Sequence, residues 1–325
     1  MDTGFGLQET QPPAIELTAT IPDVIELKNL SKSYGKVRAL DGLDLTVKEG
    51  EVYGFLGRNG AGKSTAIRIL MGITKPTKGI VNLFGKPLGK NHIELRQRIG
   101  YVAQEQNFYG WMTPVTIGNF VSGFYPTWDD VEYVRLLKGL DLPKDRKIRT
   151  FSGGMRAKLA LCLALAHRPS VLLLDEPTAG LDPIARREFI EMVRDQAENK
   201  TGTIFFSSHL IDEVEAAANY IGIIEKGKMY YQGALSELSN SVRLLRHPPV
   251  DSGDIELPSF LLEGSYGMEI IQDRMLNGER HLVVRSAENP DIFSSMSYGE
   301  GNWSVEKMSL EDIFIELVRD PIRKL

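Results

Sequence analysis

The chain has 325 residues, 42% of them hydrophobic and 25% charged, a balance that supports a large buried core and more than one ordinary domain. A formal net charge of −5 argues against non-specific nucleic-acid binding as the main task, and a single cysteine, Cys162, excludes an intramolecular disulfide and a cysteine-cluster metal site. No apolar run reaches the length of a bilayer-spanning helix; the nearest, LALCLALAHRPSVLLLD, is broken by His167, Arg168 and Pro169.

Residues 1–23 lack the basic start and apolar run of a secretion signal and read as a loosely ordered tail. From Val24, VIELKNLSKSYG and LDLTVKEGEVYGFLG have strand texture, with turns expected at Gly35, Gly42 and Gly50, and predict a small antiparallel region. EVYGFLG reads as a buried strand running into GRNGAGKST, Gly57 to Thr65, and STAIRILMGI then carries Ile67, Leu70 and Met71 at helical spacing. Strand, glycine loop and helix in that order fit G-x-x-x-x-G-K-[ST]. Glycines in this pattern turn backbone N–H groups toward phosphate oxygens, Lys63 supplies a point charge, Ser64 offers a hydroxyl to Mg²⁺, and the helix N-terminus faces the anion. A chance glycine turn is the rival reading, and the flanks disfavour it.

Beyond Gly100 the chain becomes aromatic and then helical, which predicts an inserted helical subdomain over about 105–165. Asp129 and Asp130 read as an N-cap and a solvated first turn. In GGMRAKLALCLALAH, Met155, Leu159, Cys162, Leu163 and Ala166 share one helical face, so Cys162 is expected in the core. VLLLDEP, Val171 to Pro177, is an apolar strand ending in two carboxylates. Alone it could be a solvent-facing strand end; beside a phosphate loop, Asp175 suits Mg²⁺ and Glu176 suits polarising an attacking water. IARREFIEMVRDQAE, GTIFFSSH and IGIIEKGKMYYQG continue the alternation of helix and strand and predict an α/β sheet. Around Leu244, RHPPVDSGDIELP reads as a linker, after which GMEIIQDRM, ERHLVVRSA and SLEDIFIELVRD predict a small α+β appendage ending in an amphipathic helix.

FSGGM, Phe151 to Met155, lies shortly before the carboxylate strand and resembles the signature motif of ATP-binding cassette (ABC) ATPases, where leucine is more usual at the first position. AGLD, Ala179 to Asp182, is similar to their D-loop; SSHL places His209 at the switch histidine, YVAQE places Gln104 at the Q-loop, and KSYG places Tyr34 at the adenine-stacking aromatic. All stand in family order, over roughly Val24 to Leu238. The resemblance implies a P-loop ABC ATPase fold with a mixed sheet core, an antiparallel β subdomain and the helical insertion over 24–240, with a C-terminal accessory domain over 241–325. It implies that ATP is bound by Tyr34, Gly57, Asn59, Gly60, Ala61, Gly62, Lys63, Ser64 and Thr65. Ser152, Gly153 and Gly154 would meet the γ-phosphate held on a second subunit, with Asp182 in the D-loop beside them. Mg²⁺ would be held through Ser64, Gln104 and Asp175, and Glu176, His209 and Gln104 would serve hydrolysis.

The same residues have physical readings of their own. The Tyr34 face can stack on adenine with modest discrimination, or be an ordinary turn tyrosine. Ser152 and its two glycines lead a helix whose dipole favours an anion, which an ordinary capped helix also does. A lone histidine at a strand end is usually packed or solvated, so only family position makes His209 a phosphate contact. Arg58 stands where proline is common in the family and is expected to be solvated, an extra cation near the phosphates being the alternative.

As partners the resemblance implies a transmembrane permease on a separate chain and a second ABC ATPase subunit, identical or not, in a head-to-tail dimer at the cytoplasmic face of the cell membrane. No nucleic-acid partner is expected. SLEDIFIELVR resembles the ending of ATPase subunits of ABC-2-type exporters for drugs, peptides or polysaccharides, and FYPTWD is similar to a bacterial branch associated with peptide or antibiotic efflux. Importer subunits share the core motifs. Soluble ABC ATPases acting on ribosomes or DNA carry two cassettes or long heptad coils, and this chain has one phosphate loop and no heptads. A regulatory GTPase would want N-K-x-D, and NKTG at Asn199 lacks the aspartate.

Overall fold

The computed structural model describes residues 21–89, 93–199, 202–250, 255–258, 261, 267–286, 288, 293 and 302–319. The N-terminal tail lies outside the described residues as far as residue 20. The chain opens with β1 (Asp23–Tyr34), β2 (Val37–Lys48) and β3 (Val52–Leu56), then α1 (Lys63–Leu70), β4 (Lys78–Leu83), β5 (Lys86–Pro87), α2 (Ile93–Gln97) and β6 (Ile99–Val102). The helical insertion follows as α3 (Pro114–Ser122), α4 (Asp130–Gly139) and α5 (Gly153–Leu165). Alternation resumes with β7 (Val171–Asp175), α6 (Pro183–Asn199), β8 (Thr203–Ser208), α7 (Ile211–Ala217), β9 (Tyr220–Glu225), β10 (Lys228–Ala234) and α8 (Leu235–Ser241). Last come β11 (Val242–His247), β12 (Met268–Leu276), β13 (Glu279–Ser286), β14 (Ser304–Lys307) and α9 (Leu310–Val318).

The central sheet has the order β10-β9-β3-β8-β7-β6, parallel except for the β9–β10 hairpin, so it is mixed. Strands β3, β7 and β8 are buried along their whole length because both faces of the sheet are covered. Their side chains divide with period two. Tyr53, Phe55, Leu173 and Phe205 enter a core shared with Ile67, Ile69 and Leu70 of α1 and with the antiparallel sheet β2-β1-β4-β5. Leu56, Leu172, Leu174 and Phe206 enter a second core with Leu159 and Cys162 of α5 and Val214 of α7. Each fully buried Phe contributes about 2 to 3 kcal/mol to this arrangement. Cys162 therefore sits in the core, as its helical face predicts, and Asp129 caps α4 by accepting the Glu132 N–H at 2.9 Å.

Two expectations are corrected. Gly42 is not a turn: it lies inside β2 with φ 68, opposite Asn29 at φ 49, where the β1–β2 register slips. An irregularity within paired strands uses the same left-handed conformation as a turn, so glycine alone does not separate the two. The segment RHPPVDSGDIELP does not begin as a linker, because Arg246 and His247 end β11, which pairs with both β13 and β14. The third sheet, β12-β13-β11-β14, is antiparallel and also two-faced. Leu245, Leu282, Val284 and Trp303 form its own small core, while Val242 and Val283 join the large core together with Met308, Leu310 and Ile313 at α9. Among the described residues no helix is long and apolar enough to cross a membrane.

Candidate nucleotide site

The loop from Gly57 to Gly62 leaves the C-terminal end of β3, the central strand, at the sheet edge where open α/β folds take ligands. Two of its glycines are required by space. A Cβ on Gly57 would strike the Ile224 carbonyl oxygen, and one on Gly62, which has φ 114, would lie 2.6 Å from the Ala39 carbonyl oxygen. Gly57 N–H donates to the Ser208 carbonyl at 3.3 Å, and the Ala61 carbonyl accepts from Gly227 N–H at 2.9 Å, so the loop is tied to β8 and to the β9–β10 turn. Arg58, Asn59 and Gly60 are exposed at its tip, and Thr65 is half-buried in the first turn of α1. Arg58 is thus solvated, as expected.

Lys63 starts α1 with 3% of its side chain exposed. Its ammonium donates to the carbonyls of Gly57 at 2.7 Å and Arg58 at 3.2 Å and pairs with Glu176 Oε1 at 2.9 Å, which uses all three N–H bonds. Glu176 follows β7 with φ 43, a left-handed conformation that costs of order 1 to 3 kcal/mol in a residue with a side chain. Its N–H donates to Ser207 Oγ at 3.0 Å, and its Oε2 receives Gln104 Nε2 at 3.2 Å and stands 3.3 Å from His209 Nδ1. Lys63, Gln104 and His209 come from α1, the segment after β6 and the end of β8, so one carboxylate gathers three elements.

Asp175 ends β7 beneath this group. Its Oδ1 accepts from Ser64 Oγ at 2.9 Å and Ser207 Oγ at 3.0 Å. Burial pushes its carboxyl above the usual carboxylate range; the two hydroxyls pull it back, and the Glu176 charge adds to the rise. Ser64 and Asp175 bring only oxygen donors together, the set that a hard divalent cation such as Mg²⁺ takes alongside phosphate oxygens.

Tyr34 closes the β1–β2 hairpin opposite Val37, half-exposed, with Lys32 Nζ 4.9 Å from its ring centre. Ser152 caps α5, its Oγ accepting the Met155 N–H at 3.2 Å, and the positions of Gly153 and Gly154 face Leu181 and Ala185. Asp182 caps α6, accepting from the N–H groups of Ile184 and Ala185 at 3.0 Å each. Among the described residues no hydrogen bond joins Ser152 or Asp182 to the phosphate loop of the same chain. The structure thus forms two groups: Lys63, Ser64, Gln104, Asp175, Glu176 and His209 in one, and the signature with the D-loop in another.

Four residues in this region were not singled out from the sequence: Ser207, Ser208, Thr178 and Glu213. The available signal was TIFFSS, a buried strand whose last two residues are hydroxyls that need partners. Away from this edge, a cavity of about 500 Å³ opens between Glu49, Arg168, Gln196 and Thr203. It lies at the N-terminal ends of β7 and β8, opposite to the converging polar groups.

The family model described as ABC transporter matches residues 40–179. The bacitracin transport ATP-binding protein BcrA of Bacillus licheniformis is 33% identical over 91% of this chain and 97% of its own. The daunorubicin/doxorubicin resistance ATP-binding protein DrrA of Streptomyces peucetius is 31% identical over 91% of this chain and 93% of its own. A solved dimer of the ATP-binding cassette MJ0796, bound to ADP and Pi, aligns with a TM-score of 0.58 at 26% identity, covering 65% of this chain and 98% of that one.

Proposed function

The chain belongs to the ABC transporter ATP-binding family, and from that membership we propose that it powers an exporter, driving a separate membrane subunit through ATP-dependent head-to-tail pairing of two cassettes. It is an α/β P-loop ATPase and an ATP-binding subunit of a transporter. The direction of transport is supported by the resistance and antibiotic-transport names of relatives that each match 91% of the chain. Pairing is supported by the dimer of the MJ0796 cassette. The place of work is the cytoplasmic face of the membrane, where ATP is available.

The observation that carries the catalytic reading is the convergence of Lys63, Gln104 and His209 on the buried, strained Glu176. The β- and γ-phosphates settle on the loop N–H groups and draw Lys63 away from Glu176, so that Oε1 is free to take the proton of an attacking water. His209, on the same carboxylate, would contact the γ-phosphate, and Tyr34 would stack on adenine. Mg²⁺, held through Ser64, Asp175 and Gln104, would neutralise the charge that builds on the phosphates. Ser152 with Gly153 and Gly154 offers a hydroxyl and a helix N-terminus to the γ-phosphate of the second cassette, with Asp182 lining the seam.

The test is Glu176→Gln. It should keep ATP binding while slowing hydrolysis by roughly 10²- to 10⁴-fold, the usual contribution of a positioned base, and so accumulate an ATP-bound dimer in light scattering. Adding Ser152→Arg should abolish that dimer. Wild-type turnover in Glu176→Gln sinks the catalytic assignment, and a dimer indifferent to Ser152→Arg sinks the head-to-tail arrangement. Affinity capture from detergent-solubilised membranes, with identification of the co-purifying chain, tests the permease.

A further inference from the structure

We propose that Glu213 is a positioning residue for hydrolysis: its carboxylate fixes the turn behind Glu176 and the turn that presents His209 as one unit, and links both to α6 through Arg186. The inference rests on the catalytic reading of Glu176 above.

Glu213 lies in the first turn of α7 and is 5% exposed. Its Oε1 accepts from Thr178 Oγ1 at 2.6 Å and its Oε2 from Ser208 Oγ at 2.6 Å, both in the range of short charge-assisted bonds. Thr178 is two residues past Glu176, in a turn closed by Ala179 N–H on the Glu176 carbonyl at 3.0 Å. Ser208 immediately precedes His209. The Ser208 Oγ also accepts the Leu210 N–H at 2.9 Å, and its carbonyl takes the Gly57 N–H of the phosphate loop. One side chain therefore holds the segments on which the base and the histidine ride, and one of those segments holds the loop.

Two features show why a carboxylate is needed there. Glu176 sits at φ 43, and a left-handed residue with a side chain persists only where its surroundings over-determine it. Ser207 accepts the N–H of Glu176 itself, and Glu213 fixes the turn after it. An apolar residue at 213 would fill space as Val214 does, but would leave the Thr178 hydroxyl without its acceptor and the Ser208 hydroxyl with only the Leu210 carbonyl at 3.2 Å.

Arg186 adds a coupling. Its Nε stands 3.5 Å from Glu213 Oε1 and is buried with no hydrogen-bond partner. A shift of α6 by about half an ångström would complete that bond. Helix α6 is capped by Asp182, on the edge assigned to the second cassette, so displacement at the seam reaches Glu213 and, through it, Glu176 and His209.

The test uses the full chain, comparing Glu213→Ala, Glu213→Gln, Thr178→Val and Arg186→Gln with Glu176→Gln. The readouts are kcat and KM for ATP hydrolysis, binding of a fluorescent ATP analogue and the thermal midpoint. Glu213→Ala should lower kcat on the order of 10- to 100-fold while KM changes by less than about 3-fold, because a base displaced by a fraction of an ångström loses rate and not affinity. Glu213→Gln, whose amide accepts from one hydroxyl and donates to the other, should recover most of that loss. Arg186→Gln should lower kcat several-fold with ATP binding intact. A kcat in Glu213→Ala like that of wild type overturns the proposal, as does loss of kcat, ATP binding and thermal midpoint together, which marks a merely structural residue. Should Glu213→Ala fail to fold, Thr178→Val decides, since it keeps shape and removes one hydroxyl: an unchanged kcat overturns the proposal. If Glu176→Gln itself turns over normally, the catalytic reading fails and this inference with it; if Glu176→Gln is slow and the Glu213 and Thr178 variants are normal, only this inference fails.

Discussion

The Lys63 ammonium lies 2.9 Å from Glu176 Oε1, with both side chains more than nine-tenths buried. The cation proposed for the phosphates and the carboxylate proposed as base are therefore each other's partner. Removing one side of such a pair leaves a buried, uncompensated charge, at a cost of about 3 to 5 kcal/mol.

Lys63→Ala is accordingly expected to lose most ATPase activity and to be less stable than wild type, because Glu176 keeps its burial and loses its cation. Combining it with Glu176→Gln should restore much of the stability without restoring turnover. Urea midpoints of the two single variants and the double variant, read as a mutant cycle beside an ATPase assay, check both halves. Additive stability losses would contradict the pairing.

Burial holds the His167 imidazole below its ordinary range, with the carbonyls of Ile99 and Leu163 pulling the other way. It is stacked on Tyr125 with ring centres 3.9 Å apart. The unfolded chain takes up the proton first, near pH 6.5 or so. Stability is thus present above that pH and is lost as pH falls from it toward the folded value, with a slope of up to about 1.4 kcal/mol per pH unit. His167→Phe keeps the stack and should flatten this part of the profile. Denaturant midpoints across that interval measure it, and identical slopes in the two proteins would refute it.

Burial also pushes the Cys162 thiol up to about 12. Native protein at mildly alkaline pH should then react with a thiol reagent only as fast as it opens, since the thiolate is the nucleophile and is nearly absent. Labelling in denaturant should be immediate. Rapid stoichiometric labelling of folded protein would place Cys162 elsewhere.

Truncation after Ser241 should leave ATP binding in place, because Lys63, Ser64 and Asp175 belong to the central sheet and its loop. The thermal midpoint should nevertheless fall, since Val214, Tyr231 and Leu238 lose the cover of Val283, Leu310 and Ile313. Each such apolar side chain returned to water costs about 1.5 to 3 kcal/mol. Thermal melts and nucleotide titration of the truncated chain separate the two effects, and an unchanged midpoint would contradict the shared core.

The phosphate loop with its strand and helix was legible because its residues are contiguous and each has a local reason: glycine where a Cβ would collide, an apolar strand before, helical spacing after. The α/β class was legible from the same local periodicities. What joins distant segments was not. Nothing in the spacing of Thr178, Ser208 and Glu213 predicts that one carboxylate receives both hydroxyls. The positive φ of Glu176 and of Asn29 is likewise set by neighbours from other strands, and β11 was obscured because its last two residues run into a pair of prolines.

The central strand β3 has β8 on one side and β9 on the other, and both of these come from beyond residue 200. During synthesis the phosphate loop consequently emerges from the ribosome long before the strands that clamp it. A nascent chain ending before Thr203 holds GRNGAGKST complete in sequence but without Ser207, Ser208 or the Ile224 wall that gives the loop its shape. Nucleotide can help this protein fold only at the end, as a late clasp on a sheet closed from its C-terminal side, and until then the wholly buried strand β3 is left waiting for both of its neighbours.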